Sequence, residues 1–256
     1  MHSDPTTMFR LDDKVVLVTG ASSGLGARFA RVTRAAGATV IVAARRLDRL
    51  TALVDELGDA HAVEVDLIAD GGPEACVARS VELAGRIDVL VNNAGISQVS
   101  SALDFSTADF RHEVEIDLVA PFALARDVAR DAIEQGRTAS IINIGSILGE
   151  VAGGKLRVPG YAAAKGGLHN LTRELASQWG RKGVRVNAIA PGWFETEMND
   201  EMFRDGGGQA YMETGAAMGR PGREGELDGA MLYLASDASS FVTGHILEVS
   251  GGWTAS

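Results

Sequence analysis

The sequence predicts an α/β protein: a single domain built on a doubly wound parallel sheet of seven strands, with helices on both faces. Three observations carry that expectation. Short β-branched runs recur along the chain, stretches with apolar residues at helical spacing lie between them and stop at glycine, and no linker divides the whole. A chain of 256 residues, 46% hydrophobic and 23% charged, is long enough to bury a substantial core and too apolar to stay disordered.

The strands follow in order. "KVVLV" at 14–18, "TVIVA" at 39–43, "HAVEVD" at 61–66 and "IDVLVN" at 87–92 form the first half; "SIINIG" at 140–145, "VRVNAIA" at 184–190 and "HILEV" at 245–249 form the second. Crossover helices are read in "LGARFARVTRAAG" and "PEACVARSVELAG", each closed by a glycine. Near-continuous apolar strands alternating with helices imply a parallel sheet covered on both sides. Residues 1–12 are expected to be a flexible N-terminal extension, with the domain spanning 13–256. The rhythm breaks at 193–222, where "RDGGGQ" and "GRPGRE" mark an insertion on the substrate side.

Composition excludes several function classes. A net charge of -10 without any Lys/Arg-rich run argues against nucleic acid. No segment has the ~18 apolar residues that span a bilayer and the first residues lack a signal-peptide pattern, so a cytoplasmic protein is expected. The lone Cys76 reads as a buried inert thiol. The five histidines show no metal-ligand spacing, so no metal is expected.

Directly after the first strand comes "TGASSGLG", with Gly20, Gly24 and Gly26 opening an amphipathic helix. Glycines there let backbone amides and the positive end of the helix dipole approach a pyrophosphate, the Rossmann-type arrangement. The same letters spell G-x-S-x-G, a nucleophile elbow with Ser22 as the serine of a hydrolase. That reading is the weaker one: the turn follows the first strand, no oxyanion segment is visible, and His245 would be the only triad partner. The second strand ends "AARR" without the carboxylate that favours NAD, and Arg45 and Arg46 offer guanidinium forks suited to a ribose 2′-phosphate, so NADP(H) is favoured over NAD(H).

"YAAAK" places Tyr161 and Lys165 four residues apart, on one face of a helix, in a chain with only three tyrosines. A free phenol titrates near 10, and a neighbouring ammonium favours the phenolate and lowers that value. Such a hydroxyl can give a proton to a carbonyl oxygen or take one from an alcohol. Ser146, at the end of the fifth run, can hydrogen-bond the same oxygen.

Together "TGASSGLG", "NNAG" at 92–95, Ser146, "YAAAK", "PGWFETEM" at 191–198 and the closing "ASDASSFVTGHILEVSGG" resemble the short-chain dehydrogenase/reductase family, standard single-domain type, over nearly the whole chain. The 3-oxoacyl thioester reductases are especially similar. The resemblance implies that Tyr161 is the acid/base, that Lys165 lowers its pKa and binds the nicotinamide ribose, and that Ser146 orients the substrate. It further implies cofactor contacts from Gly20, Ser22, Ser23 and Leu25 to phosphates and adenosine, Arg45 to the 2′-phosphate, and Asp66 and Leu67 to adenine. Asn93, Ala94 and Gly95 would wall the adenosine ribose, with Pro191, Gly192, Phe194 and Thr196 at the nicotinamide end. Dimers or tetramers are implied as well, built from the long helices around Asp117 and Tyr161 and from the C-terminal strand.

Three departures stand out. Asp117 occupies the position where the family usually has an Asn that holds a relay water, and a carboxylate there tends to raise the tyrosine pKa. The interval from Ser146 to Tyr161 is about two residues longer than usual, so 151–159 is expected to shape specificity. Ser250 replaces the common Asp in "VSGG". The sequence thus predicts an NADP(H)-dependent oxidoreductase interconverting a small-molecule ketone and a secondary alcohol. The alternative is a dinucleotide-binding regulator or scaffold without turnover.

Overall fold

In the computed structural model, which describes residues 4–255, seven strands form one sheet in the order β3-β2-β1-β4-β5-β6-β7, every pair parallel. The strands are β1 (Val15–Thr19), β2 (Thr39–Ala44), β3 (Ala60–Glu64), β4 (Val89–Asn92), β5 (Ala139–Ile144), β6 (Val184–Pro191) and β7 (Ile246–Val249). They match the seven sequence runs to within two residues at each end. Between them run α1 (Gly24–Ala35), α2 (Leu47–Leu57), α3 (Gly72–Ala84), α4 (Thr107–Val114), α5 (Ala120–Glu134) and α6 (Pro159–Trp179). Three shorter helices follow: α7 (Asp200–Arg204), α8 (Gly206–Gly215) and α9 (Asp228–Ala235).

The period-two geometry of a strand divides the core in two. Val16 and Val18 of β1 pack with Phe29, Leu50, Met231 and Leu234 on one face, while Val15 and Leu17 pack with Cys76, Leu124, Val128 and Leu175 on the other. Burial pushes the Cys76 thiol up to about 12, so it stays protonated. Strand order reverses between β1 and β4, and the crevice at their carboxyl ends is where such sheets hold ligands.

The fold departs from the sequence reading in two places. Residues Pro5–Phe9 wind into a 3-10 helix and Leu11 is fully buried, its N–H bonded to Ala36 O at 2.9 Å, so ordered structure begins ahead of the expected boundary at 13. The first three residues of the expected extension lie outside the described residues. Between α4 and α5, Glu115–Val119 forms one turn of wider π-helix, which periodicity does not announce. The 193–222 segment leaves and rejoins the body at one point, where Phe194 bridges Gly222 and Gly222 N donates to Trp193 O at 2.8 Å. Helices α7 and α8 lie within this flap.

Candidate active site

A cleft of about 690 Å3 opens at the carboxyl ends of the strands, and every candidate residue of the sequence analysis lines it: the first turn, the β2, β3 and β4 ends, Asp117, Ser146, Tyr161, Lys165 and the start of the flap. Its floor is stitched at the reversal point. Thr19 Oγ1 accepts from Asn93 N at 3.0 Å and Ala94 N at 3.2 Å, and Asn93 Nδ2 donates to Thr19 O at 2.9 Å.

Glycine is required in the first turn. Gly20 has φ +65°, and a Cβ there would sit 2.8 Å from Ala94 Cα; on Gly26 it would meet Asn93 Nδ2 and Gly20 O, both at 2.5 Å. Ser23, which precedes α1, makes no side-chain cap, so the first amides of the helix face the cleft without a partner from that side chain. A bare backbone cradle at a helix N-terminus suits a pyrophosphate. Beyond it, Arg46 donates to Ser22 Oγ at 2.9 Å and Ser23 Oγ at 2.9 Å and pairs with Glu197 of the flap at 3.1 Å; Arg49 reaches the same carboxylate at 2.5 Å. Arg45 lines the cleft beside them. A Ser22 hydroxyl bonded to a guanidinium faces a cation that cannot take its proton, which removes the hydrolase reading.

At the other end, Ser146 follows β5 and its Oγ accepts from Leu148 N at 3.1 Å. Tyr161 stands on the first turn of α6, and Lys165 follows one turn later with Nζ 5.4 Å from the tyrosine ring centre. The ammonium donates to Ile144 O at 2.9 Å and pairs with Asp117 Oδ1 at 2.9 Å, while Ile96 N donates to Asp117 Oδ2 at 3.1 Å. The π-helical turn is what aims Asp117, fully buried, at α6. Below, Asn92 Nδ2 bonds Asn143 Oδ1 and Asn143 Nδ2 bonds Thr172 Oγ1, each at 2.9 Å, locking β4 and β5 to α6.

These contacts set the direction in which each group's titration is displaced. Burial pushes the Tyr161 phenol above its ordinary value; Lys165 and Ser146 pull it down as the sequence suggested, but Asp117 and Glu113 push it up, and the net direction is upward. Burial penalises the Lys165 ammonium, yet Asp117 and Tyr161 outweigh that and hold lysine above its ordinary pKa. Burial raises the Asp117 carboxyl, opposed by the lysine and the Ile96 amide.

Sequence reasoning missed several participants. Glu113 is fully buried, accepts from Gln98 N at 2.5 Å and stands against Gly160, so it packs on the start of α6. Its signal was present: it lies four residues before Asp117, on the same helical face. His169, one turn beyond Lys165, is buried against Gly145 and Gly149 and pairs with Glu150 at 2.8 Å, backing the Ser146 loop. Glu197, which pairs with Arg46, had no signal because its arginine partners lie about 150 residues away in sequence.

A dinucleotide cradle joined to a Ser, Tyr and Lys in one cleft defines a nicotinamide-dinucleotide oxidoreductase. The family model described as "Enoyl-(Acyl carrier protein) reductase" matches residues 20–254. The chain is 37% identical to the galactitol 2-dehydrogenase (L-tagatose-forming) of Cereibacter sphaeroides, covering 98% of this chain and 99% of that one. It is 38% identical to the cis-4-hydroxycyclohexanecarboxylate dehydrogenase of Sinomonas cyclohexanicum, over 95% of this chain and 97% of that one. A solved gluconate 5-dehydrogenase of Burkholderia cenocepacia, in complex with NADP and tartrate, superposes with a TM-score of 0.93 at 34% identity, covering 99% and 100% of the two chains. The chain belongs to the short-chain dehydrogenase/reductase family, and it is an enzyme, an NAD(P)-dependent oxidoreductase.

Proposed function

We propose that the protein interconverts a ketone and a secondary alcohol using NADP(H) in preference to NAD(H), with Tyr161 as general acid/base. The observation that carries the reading is the convergence of Ser146, Tyr161 and Lys165 on one cleft, with the lysine Nζ 5.4 Å from the tyrosine ring centre.

Gly20, Ser22, Ser23 and Leu25 would hold the phosphates and adenosine, and Asp66 and Leu67 the adenine. Arg45 and Arg46 would take the 2′-phosphate. Asn93, Ala94 and Gly95 would line the adenosine ribose, and Pro191, Gly192, Phe194 and Thr196 the nicotinamide end. The bound nicotinamide supplies or receives the hydride. Ser146 Oγ and Tyr161 Oη donate to the carbonyl oxygen, Tyr161 releases its proton as that oxygen becomes a hydroxyl, and Lys165 stabilises the phenolate left behind. In oxidation the phenolate takes the proton back. Asp117 holds Lys165 directly, where the family's Asn would hold a water.

The NADP(H) preference is supported by the two arginines at the β2 end and the lack of an acid there. The scaffold alternative is disfavoured because Ser146, Tyr161 and Lys165 are all in place. Assembly into a homo-oligomer, a dimer or tetramer, is supported by Phe110, Val119 and Phe122 exposed along α4 and α5. The cytoplasm is the proposed location, and no helix among the described residues is long and apolar enough to cross a membrane.

The test is Tyr161→Phe. Loss of NADPH absorbance with a panel of ketones should fall by roughly 10²–10⁴-fold while NADPH binding persists. Undiminished turnover in that variant would remove the acid/base role.

A further inference from the structure

The wall of the cleft beside Tyr161 is apolar, and the one permanent cation there, Lys165, is already committed. Tyr161 packs in one cluster with Leu148, Leu156, Val158 and Trp193. Trp193 in turn meets Tyr211 and Trp253 edge-on, with ring centres 6.0 and 5.7 Å away. Two contacts make this a continuous wall: Tyr211 Oη donates to Gly153 O at 2.9 Å, tying α8 to the loop after Ser146, and Ser100 N donates to Arg157 O at 2.8 Å, tying the loop after β4 to the same segment.

Charge is distributed unevenly around it. Among the described lining residues the permanent cations are Arg45, Arg46 and Lys165, with His112 as the one imidazole. The two arginines stand at the adenosine end, and Lys165 is taken by Asp117 and Ile144 O. The flap contributes Glu201 and Asp205, both anionic, to the lining. Lys155 and Arg157 on the facing loop are exposed and outside the lining.

A carboxylate or phosphate entering here loses hydration without a guanidinium or ammonium to replace it, and meets two acids on the way in. A polyol fares little better, because each of its several buried hydroxyls needs a partner and the wall beside Tyr161 offers one unpaired donor, the Trp193 indole N–H, in a surface otherwise of hydrocarbon and ring. The geometry points to an uncharged, largely apolar ketone or secondary alcohol as the substrate, its hydrocarbon body held between Leu148, Leu156, Val158 and Trp193. This rests on the oxidoreductase reading and deepens it. It also sets the chain apart from its relatives named for galactitol and gluconate.

A pair of compounds differing only in charge tests it: cis-4-hydroxycyclohexanecarboxylate and its methyl ester, run beside galactitol and gluconate with NADP+. The ester should exceed the acid at least tenfold in kcat/KM, and both sugar compounds at least a hundredfold. An acid equal to or better than its ester, or a sugar compound ranking first, overturns the proposal. Dissociation constants of ester and acid for the enzyme with NADPH bound, read by tryptophan fluorescence, should rank the same way. Tenfold tighter ester binding with no turnover of any compound would sustain the apolar site and strike the oxidoreductase reading alone. Leu156→Asn should lower kcat/KM for the ester about tenfold with the NADPH dissociation constant unchanged; an unaltered kcat/KM overturns the placement.

Discussion

Replacing Asp117 by Asn takes a buried negative charge out of the cleft while keeping its shape and one acceptor for the Lys165 ammonium. The 2.9 Å Lys165–Asp117 contact and the 5.4 Å from Nζ to the Tyr161 ring centre bound the carboxylate-to-ring distance at about 8 Å. Unit charges at that range interact by about 2 kcal/mol with an effective dielectric of 20, roughly 1.5 pKa units. Lys165 sits between the two and screens part of this, so a shift of about one unit is expected. The sign follows from the charges. Asp117 disfavours the phenolate, so its removal lowers the Tyr161 pKa. Alcohol oxidation needs the phenolate, and its kcat/KM rises with pH through that titration. In Asp117→Asn the midpoint of the rise should therefore move about one unit to lower pH, measured as initial rates of NADP+ reduction across the pH range in constant ionic strength. A midpoint that stays put or moves upward would refute the electrostatic account. Lys165 keeps Ile144 O and the amide oxygen, while Ile96 N–H loses its acceptor, a local cost of about 1–3 kcal/mol that the fold should survive.

Two further perturbations probe other parts of the site. Arg46→Ala removes a fork that bonds Ser22 and Ser23; a hydrogen bond to a charged group is worth about 1.5–3 kcal/mol, so NADPH binding should weaken roughly 10–100-fold with NADH little changed. Titration by nucleotide fluorescence checks this, and an equal loss for both nucleotides would contradict the 2′-phosphate role. Glu113→Gln keeps an acceptor for the Gln98 amide but deletes a charge that pushes Tyr161 up, so the oxidation midpoint should again fall, by less than in Asp117→Asn. An unchanged pH profile in that variant would show Glu113 to be electrostatically silent.

The sequence made visible those parts of the molecule governed by local patterns. Val15–Thr19 reads as a buried strand from its own letters, and the glycines of the first turn announce a backbone that must approach another chain segment, which Ala94 and Asn93 turn out to be. Tyr161 and Lys165 were found because helical spacing alone puts them on one face. Contacts between segments far apart in sequence stayed hidden. Glu197 meets Arg46 and Arg49 only once the flap has folded back over β2, and the π-helical turn that aims Asp117 inward packs, with α4, against α6. The net direction of the Tyr161 shift stayed hidden for the same reason: the sequence displayed the opposing pulls of Lys165 and Asp117, while the desolvation and the second acid, Glu113, come from the tertiary fold.

The Lys165–Asp117 pair bears on the pH range in which each direction of the reaction can run. Asp117 compensates the Lys165 ammonium at 2.9 Å, so the pair together exerts much less pull on the phenol than a lone lysine does. Burial then outweighs that pull and raises the Tyr161 phenol above its ordinary range. A protonated Tyr161 beside Ser146 is ready to donate to a ketone oxygen, whereas the reverse reaction must first wait for the phenolate. Reduction should accordingly hold a flat maximum through neutral pH and decline only as Tyr161 titrates in alkali, while oxidation climbs across the same alkaline range. Initial rates in both directions, fitted over one pH series, should give profiles of opposite slope, with the oxidation midpoint the lower of the two because the oxidised nicotinamide carries a positive charge. Oxidation that does not rise with pH would mean that some group other than Tyr161 accepts the proton.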